Sequence, residues 1–109
     1  MGEVGALRQE VFHRDEWRCL APLLDPTVTA YDCMGPFQIP ALLAPGVYRV
    51  DSLTLEHVHE EPGMRRVHRK DHCITLCWYH NVEGWSQSHR TEENEHLDNL
   101  YGRERRLAT

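Results

Sequence analysis

The sequence predicts a small α+β domain held together by a bound metal ion, and three observations predict it. Four cysteines occur in 109 residues. Cys77 and His80 form a C-x-x-H pair, and two short strand-like stretches lie between segments of helical periodicity. A chain of this length buries only a modest core, so an internal staple adds usefully to its stability. Residues 1–109 are read as one domain.

Val4, Leu7, Val11 and Phe12 recur at i, i+3, i+7 and i+8, which predicts an N-terminal amphipathic helix over residues 4–14 leading to Cys19. Pro22, Pro26, Pro36, Pro40 and Pro45 then forbid long regular elements between Cys19 and Gly46, leaving a Pro-rich loop that something must order. From Val47 onward Tyr48, Val50, Leu53 and Leu55 alternate with polar residues, and Ser52 to His57 is the best strand candidate. Pro62-Gly63 signals a turn, and Cys73-Ile74-Thr75-Leu76 a second short strand. After Ser88 the text is polar, with Leu97, Leu100, Tyr101 and Leu107 on one stripe of a C-terminal helix. Trp17, Trp78 and Trp85 are read as packing residues that shield the small core and the metal. His13, His59, His68, His89 and His96, and the charged end from Arg103 to Arg106, are read as surface.

The formal net charge of −5 argues against holding a polyanion by bulk electrostatics. Four of the twelve basic residues nevertheless concentrate at Arg65, Arg66, Arg69 and Lys70. Acidic residues gather at Glu56, Glu60 and Glu61 and again at Glu92, Glu93 and Glu95. A carboxylate cluster can hold a divalent cation, which lowers the local negative charge. No run approaches the roughly 18 to 20 apolar residues of a membrane span, and the N-terminus lacks an export signal, so the expectation is a soluble, cytoplasmic chain that binds no membrane. In a reducing compartment the cysteines are expected as thiols or metal thiolates.

The Cys77-x-x-His80 spacing lets one tight knuckle present a thiolate and an imidazole to a tetrahedral zinc ion. Cys19 and Cys33 supply the other two ligands from the Pro-rich loop, with Cys73 left as an apolar filler. The competing register brings Cys73 in as the fourth ligand beside Cys19, Cys33 and Cys77 and frees His80 for a catalytic ion.

Three stretches, Arg14-Asp15-Glu16-Trp17-Arg18-Cys19, Leu53-Thr54-Leu55-Glu56-His57-Val58 and His72-Cys73-Ile74-Thr75-Leu76-Cys77-Trp78-Tyr79-His80-Asn81, together resemble the HNH endonuclease pattern. Gly84-Trp85-Ser86-Gln87-Ser88-His89-Arg90 is similar to the ends of small bacteriophage HNH proteins. The resemblance implies a ββα-metal fold of the His-Me finger type buttressed by a structural zinc knuckle. It further implies a metal-dependent endonuclease that nicks or cuts DNA, hydrolyses the phosphodiester with a catalytic Mg²⁺, Mn²⁺ or Ni²⁺, and assists genome packaging alongside phage terminase subunits in a bacterial host cell. On the matching positions, Glu56 grips the catalytic metal, His57 is the general base, and His72 takes the central place that orients the loop and the base. Asn81 stands where the family usually has a metal-binding histidine. Arg65, Arg66, Arg69 and Lys70 are expected to contact DNA phosphates. The alternatives of another class are a non-catalytic zinc module that docks DNA or protein, and a degenerate HNH protein.

Overall fold

The computed structural model describes residues 3–34, 42–44, 47–58 and 67–107. Helix α1 spans Glu3–Arg14 and buries Leu7, Val11 and Phe12, the stripe that the periodicity anticipates. It ends in a Schellman-type reversal. The Trp17 amide donates to the Phe12 carbonyl at 2.8 Å and the Glu16 amide to the His13 carbonyl at 3.1 Å. Glu16 and Trp17 accordingly sit in the left-handed region, at φ 61° and 55°, where a side chain costs about 1 kcal/mol. The turn aims the chain at Cys19.

The Pro-rich region holds more regular structure than its composition suggests. A one-turn helix α2 (Ala21–Leu24) accepts Pro22 in its first turn, where the missing N–H costs nothing, and a 3₁₀ turn follows over Ala30–Met34. A small antiparallel ribbon then pairs β1 (Leu42–Ala44) with β2 (Val47–Tyr48). The alternation read from Val47 onward is interrupted by a 3₁₀ turn at Val50–Ser52 before β3 (Leu53–His57) begins.

β3 pairs antiparallel with β4 (Cys73–Cys77), in the register Leu53 to Cys77 through His57 to Cys73. Every residue of β4 is buried, because the strand is covered on both faces. Cys73 clusters with Leu7, Val11 and Leu55 beneath α1, while Ile74 and Leu76 join Phe12, Leu20, Leu53 and Leu97 in the main core. Its outer edge is closed at Thr75, whose carbonyl accepts from the Leu20 amide at 3.0 Å and whose amide donates to Asp15 at 2.9 Å. After β4 come α3 (Trp78–Val82), α4 (Trp85–Ser88) and α5 (Arg90–Tyr101). Gly102, at φ 89°, ends α5 and turns the chain into a last 3₁₀ segment, Arg103–Leu107.

That last segment departs from the sequence reading. It is not the tail of one helical stripe, and it is not simply solvated. Arg105 is buried and donates to the Asn94 carbonyl (2.9 Å), to Asn94 Oδ1 (2.8 Å) and to the Asp71 carbonyl (3.2 Å). Trp85 packs against the core as expected, and Trp17 meets the core ring of Phe12 edge to face at 5.8 Å while its other side stays exposed. No helix among the described residues is long and apolar enough to cross a membrane.

Candidate metal centre and its surroundings

Cys19, Cys33, Cys77 and His80 come together. They are brought in by the segment after α1, the Ala30–Met34 turn, the end of β4 and the first turn of α3. All four are buried, and their ligand atoms lie within 4.8 Å of one another. His80 Nδ1 stands 3.1 Å from Cys77 Sγ, 3.6 Å from Cys33 Sγ and 3.7 Å from Cys19 Sγ. Zinc–sulfur and zinc–nitrogen bonds of about 2.3 and 2.0 Å at tetrahedral angles put sulfur and nitrogen about 3.5 Å apart. The group therefore fits zinc by donor type and by spacing, and its soft thiolates disfavour the hard cations.

Electrostatics point the same way. Hydrogen bonds from the Cys19 and Cys33 side chains, and then from the His80 and Tyr79 backbone, outweigh burial and bring the Cys77 thiol down to about 4. Burial pushes the Cys19 thiol up, and a bound cation would offset that cost by favouring the thiolate. Tyr48 on β2 places its hydroxyl 3.2 Å from Cys33 Sγ, the kind of outer contact that orients a thiolate ligand. Nothing in the sequence pairs Tyr48 with Cys33, since the contact depends on how the β1–β2 ribbon folds over the turn.

Cys73 stands apart from this group. Its side chain lies under α1 with Leu7 and Val11, its sulfur 3.8 Å from the Val67 carbonyl, and burial pushes its thiol up to about 12. The quartet that assembles is thus the one with His80, not the register that recruits Cys73.

The remaining candidate residues divide between the two faces of the β3–β4 sheet. Successive side chains alternate along a strand, so Leu55 and His57 share the α1 face with Cys73 and Thr75, and Thr54 and Glu56 share the other. On that second face Glu56 Oε1 lies 3.7 Å from the Arg90 guanidinium. Asn81 on α3 donates through Nδ2 to Thr54 Oγ1 at 2.9 Å, so Glu56 and Asn81 share one surface with Thr54 between them. His57 instead meets His68, with Nε2 3.1 Å from Nδ1 and the rings edge to face at 4.8 Å. Glu56 and His57 are therefore not brought to a common point, although both lie at the same end of β3. His72 is buried, its Nδ1 2.8 Å from Asp71 Oδ1, and its carbonyl accepts from the Val58 amide at 2.8 Å, which fixes the chain just beyond His57.

Of the basic cluster, Arg69 pairs with Asp71, and Lys70 lies 3.3 Å from Glu10 on α1. Arg65 and Arg66 lie outside the described residues. His68 and His89, read from sequence as surface residues, both have defined partners. The partner of His68 is His57, whereas His89 stacks on Trp85 at 4.3 Å and sets Nε2 3.0 Å from Asp25 Oδ2.

Beside Glu56, α5 carries the fully buried Glu93, which accepts from Ser86 Oγ at 2.7 Å and from Arg90 at 3.0 Å. Burial outweighs those bonds and pushes its carboxyl up to about 7 from an ordinary 4.5. A carboxyl whose folded value is raised contributes stability that is full below the unfolded value and is lost as pH rises through the folded one. The melting temperature of zinc-loaded protein is therefore expected to fall between about pH 4.5 and 7 by more than that of Glu93→Gln. Parallel pH profiles for the two proteins would show that burial leaves the Glu93 carboxyl at its unfolded value.

Compared with protein-family models, with curated proteins and with solved structures, the chain has no significant match.

Proposed function

We propose that this protein is a metal-dependent endonuclease of the HNH type, a zinc-stabilised phosphodiester hydrolase acting on DNA. One observation carries the reading. The Cys19–Cys33–Cys77–His80 group braces the junction of β4 and α3, and the same β3–β4–α3 unit carries Glu56 and His57 at the far end of β3 and Asn81 on α3. A purely structural zinc domain has no need of that acidic-histidine pair at a strand end.

In this reading zinc is structural. Glu56 and Asn81 offer carboxylate and amide oxygens, the donor chemistry of a hard divalent cation such as Mg²⁺ or Mn²⁺. Such an ion, when bound, stabilises charge on the phosphate and the leaving oxygen. His57 accepts a proton from the attacking water, a task suited to imidazole near neutral pH, and His68 orients its ring. Among the described residues β3 pairs on one edge alone, so a phosphodiester lying along the other edge reaches both Glu56 and His57 although they face apart. Arg69 and Lys70, with Arg65 and Arg66, contact phosphates without reading bases. The ion pairs of Arg69 and Lys70 are exposed ones that cost little to exchange for phosphate. A place beside phage terminase in DNA packaging belongs to the same proposal.

A specific observation favours the other reading, a zinc module that binds without cutting: Glu56 and His57 face opposite ways and each already has a partner within the protein. The deciding experiment is relaxation of a supercoiled plasmid by zinc-loaded protein with Mg²⁺, Mn²⁺ or Ni²⁺ added or omitted. Strong chelators are avoided because they would also strip the structural zinc. His57→Ala is expected to lose at least about 10²-fold in rate while zinc content and DNA affinity stay near wild type; because His57 is buried its melting temperature is expected to fall, so rates are compared well below the transition. Glu56→Ala is expected to recover part of its rate when divalent metal is raised. Cleavage by His57→Ala at the wild-type rate, or none by the wild-type protein with any ion, would leave the non-catalytic module as the function.

A further inference from the structure

The hollow on the outer side of α3 and α4 has a chemistry that neither zinc nor DNA accounts for. It encloses about 570 Å³ between the Ala30–Met34 turn and the α3–α4 link. Tyr31, Tyr79, Trp85 and His89 supply rings to its lining, Asp32 and Glu83 supply carboxylates, and among the described residues no lysine or arginine lines it. By contrast, the hollow along α5 is lined by Arg90, Arg103 and Arg106.

The aromatic wall is held in place. Tyr79 and His80 meet edge to face at 5.2 Å, His80 and Trp85 at 5.7 Å, and Trp85 stacks on His89. Trp85 also donates through Nε1 to Asp25 Oδ2 at 3.2 Å. Because His80 belongs to the metal quartet, the floor of the hollow is fixed by the same atoms that close the metal centre. Gly84 makes the link between α3 and α4 at φ 89°, a conformation suited to glycine, with nothing within 4 Å of where a Cβ would stand. The rim is accessible: Glu83 is exposed and Tyr31 is 68% exposed, which is high for a large ring.

Aromatic faces beside carboxylates attract cations, and a surface of that sign repels a phosphate backbone. We propose that this hollow binds guanidinium or ammonium side chains presented by a basic segment of a partner protein. Its volume lies within the range of about 300–1,000 Å³ that encloses ligands larger than one side chain, so a short extended stretch fits better than a lone ion. The inference stands whether or not the chain cuts DNA.

The test is a ¹H–¹⁵N and aromatic NMR titration of the zinc-loaded full chain with a capped tetra-arginine peptide. Tetraglutamate and a four-nucleotide oligothymidylate serve as controls. Tetra-arginine is expected to shift the Trp85 indole N–H and the Tyr31 and Tyr79 rings, with a dissociation constant on the order of 10⁻³ M or tighter. The controls are expected to leave these signals in place. Tyr31→Ala and Glu83→Gln, both at exposed positions, are each expected to weaken binding by about three- to tenfold while zinc content and melting temperature hold. Shifts that map to another face, an equal response to tetraglutamate, undiminished affinity in both variants, or no response at millimolar peptide would each overturn the proposal.

Discussion

Replacing Cys77 with serine is expected to abolish tight zinc retention and, with it, the cooperative unfolding transition. Cys77 is the sulfur nearest to His80 Nδ1, at 3.1 Å, and hydrogen bonds from the neighbouring thiols and backbone lower its thiol, which favours the thiolate form that a metal needs. Structural zinc sites contribute roughly 10–16 kcal/mol of apparent binding free energy near neutral pH. That is comparable to the whole roughly 5–15 kcal/mol net stability of an ordinary domain, so a chain that loses the ion has little left to fold with. Metal analysis should give about one zinc per wild-type chain, and circular dichroism of Cys77→Ser should lose its melting transition. Cys73→Ser is the control. It buries a hydroxyl beside Leu7 and Val11 at a cost of about 1–3 kcal/mol, and it should keep its zinc. Loss of zinc from Cys73→Ser with retention in His80→Ala would overturn the quartet.

A second large loss is expected from Asp15→Ala. Asp15 is buried at the C-terminal end of α1 and accepts four hydrogen bonds. Two come from Thr75, through its amide and its hydroxyl, both at 2.9 Å. The other two come from the Arg14 guanidinium at 2.8 and 2.9 Å. Arg14 in turn donates to the Lys70 carbonyl at 2.6 Å, the Cys73 carbonyl at 2.7 Å and the Tyr101 hydroxyl at 3.2 Å. One carboxylate thus ties α1 to the outer edge of β4 and, through Arg14, to α5. Removing it leaves a half-buried guanidinium without its counter-ion and a strand amide without an acceptor, and breaking such a pair costs about 3–5 kcal/mol. Thermal denaturation of the zinc-loaded protein measures it. Asp15→Asn, which keeps an acceptor for the Thr75 amide, should lose distinctly less. A melting temperature for Asp15→Ala within a degree or two of wild type would mean that water serves these groups equally well.

Features encoded by local periodicity were legible in the sequence. The stripe of Leu7, Val11 and Phe12 marks α1 because a helix repeats every 3.6 residues, and Cys77-x-x-His80 announces a knuckle because three residues close one turn. β3 and β4 were readable as two short β-rich runs, whereas their pairing was only what the family resemblance implied. What lay hidden depends on contacts between distant parts of the chain. The β1–β2 ribbon and α2 sit in a stretch whose prolines argue for loop, yet Pro22 occupies the one helical position that tolerates it. The burial of Arg105 could not be seen in a run that reads Arg-Glu-Arg-Arg, since its partners Asn94 and Asp71 are 11 and 34 residues away. The opposed directions of Glu56 and His57 were readable from alternation. That His57 would meet His68 was not, because the segment joining them sets that distance.

The four metal ligands have a consequence for the order in which the chain assembles. Cys77 and His80 are three residues apart, whereas Cys19 and His80 are separated by 61. A local pair can meet an ion as soon as the β4–α3 corner turns, but closing the remaining coordination positions requires a loop of most of the domain, and the entropy of that closure must be met before the last two sulfurs bind. Contacts of such sequence separation slow folding. An ion that binds this group is therefore expected to be captured in two stages, a weak encounter at the C-terminal knuckle and a later locking step as the N-terminal third arrives, and refolding of the metal-free chain is then expected to quicken as free zinc is raised.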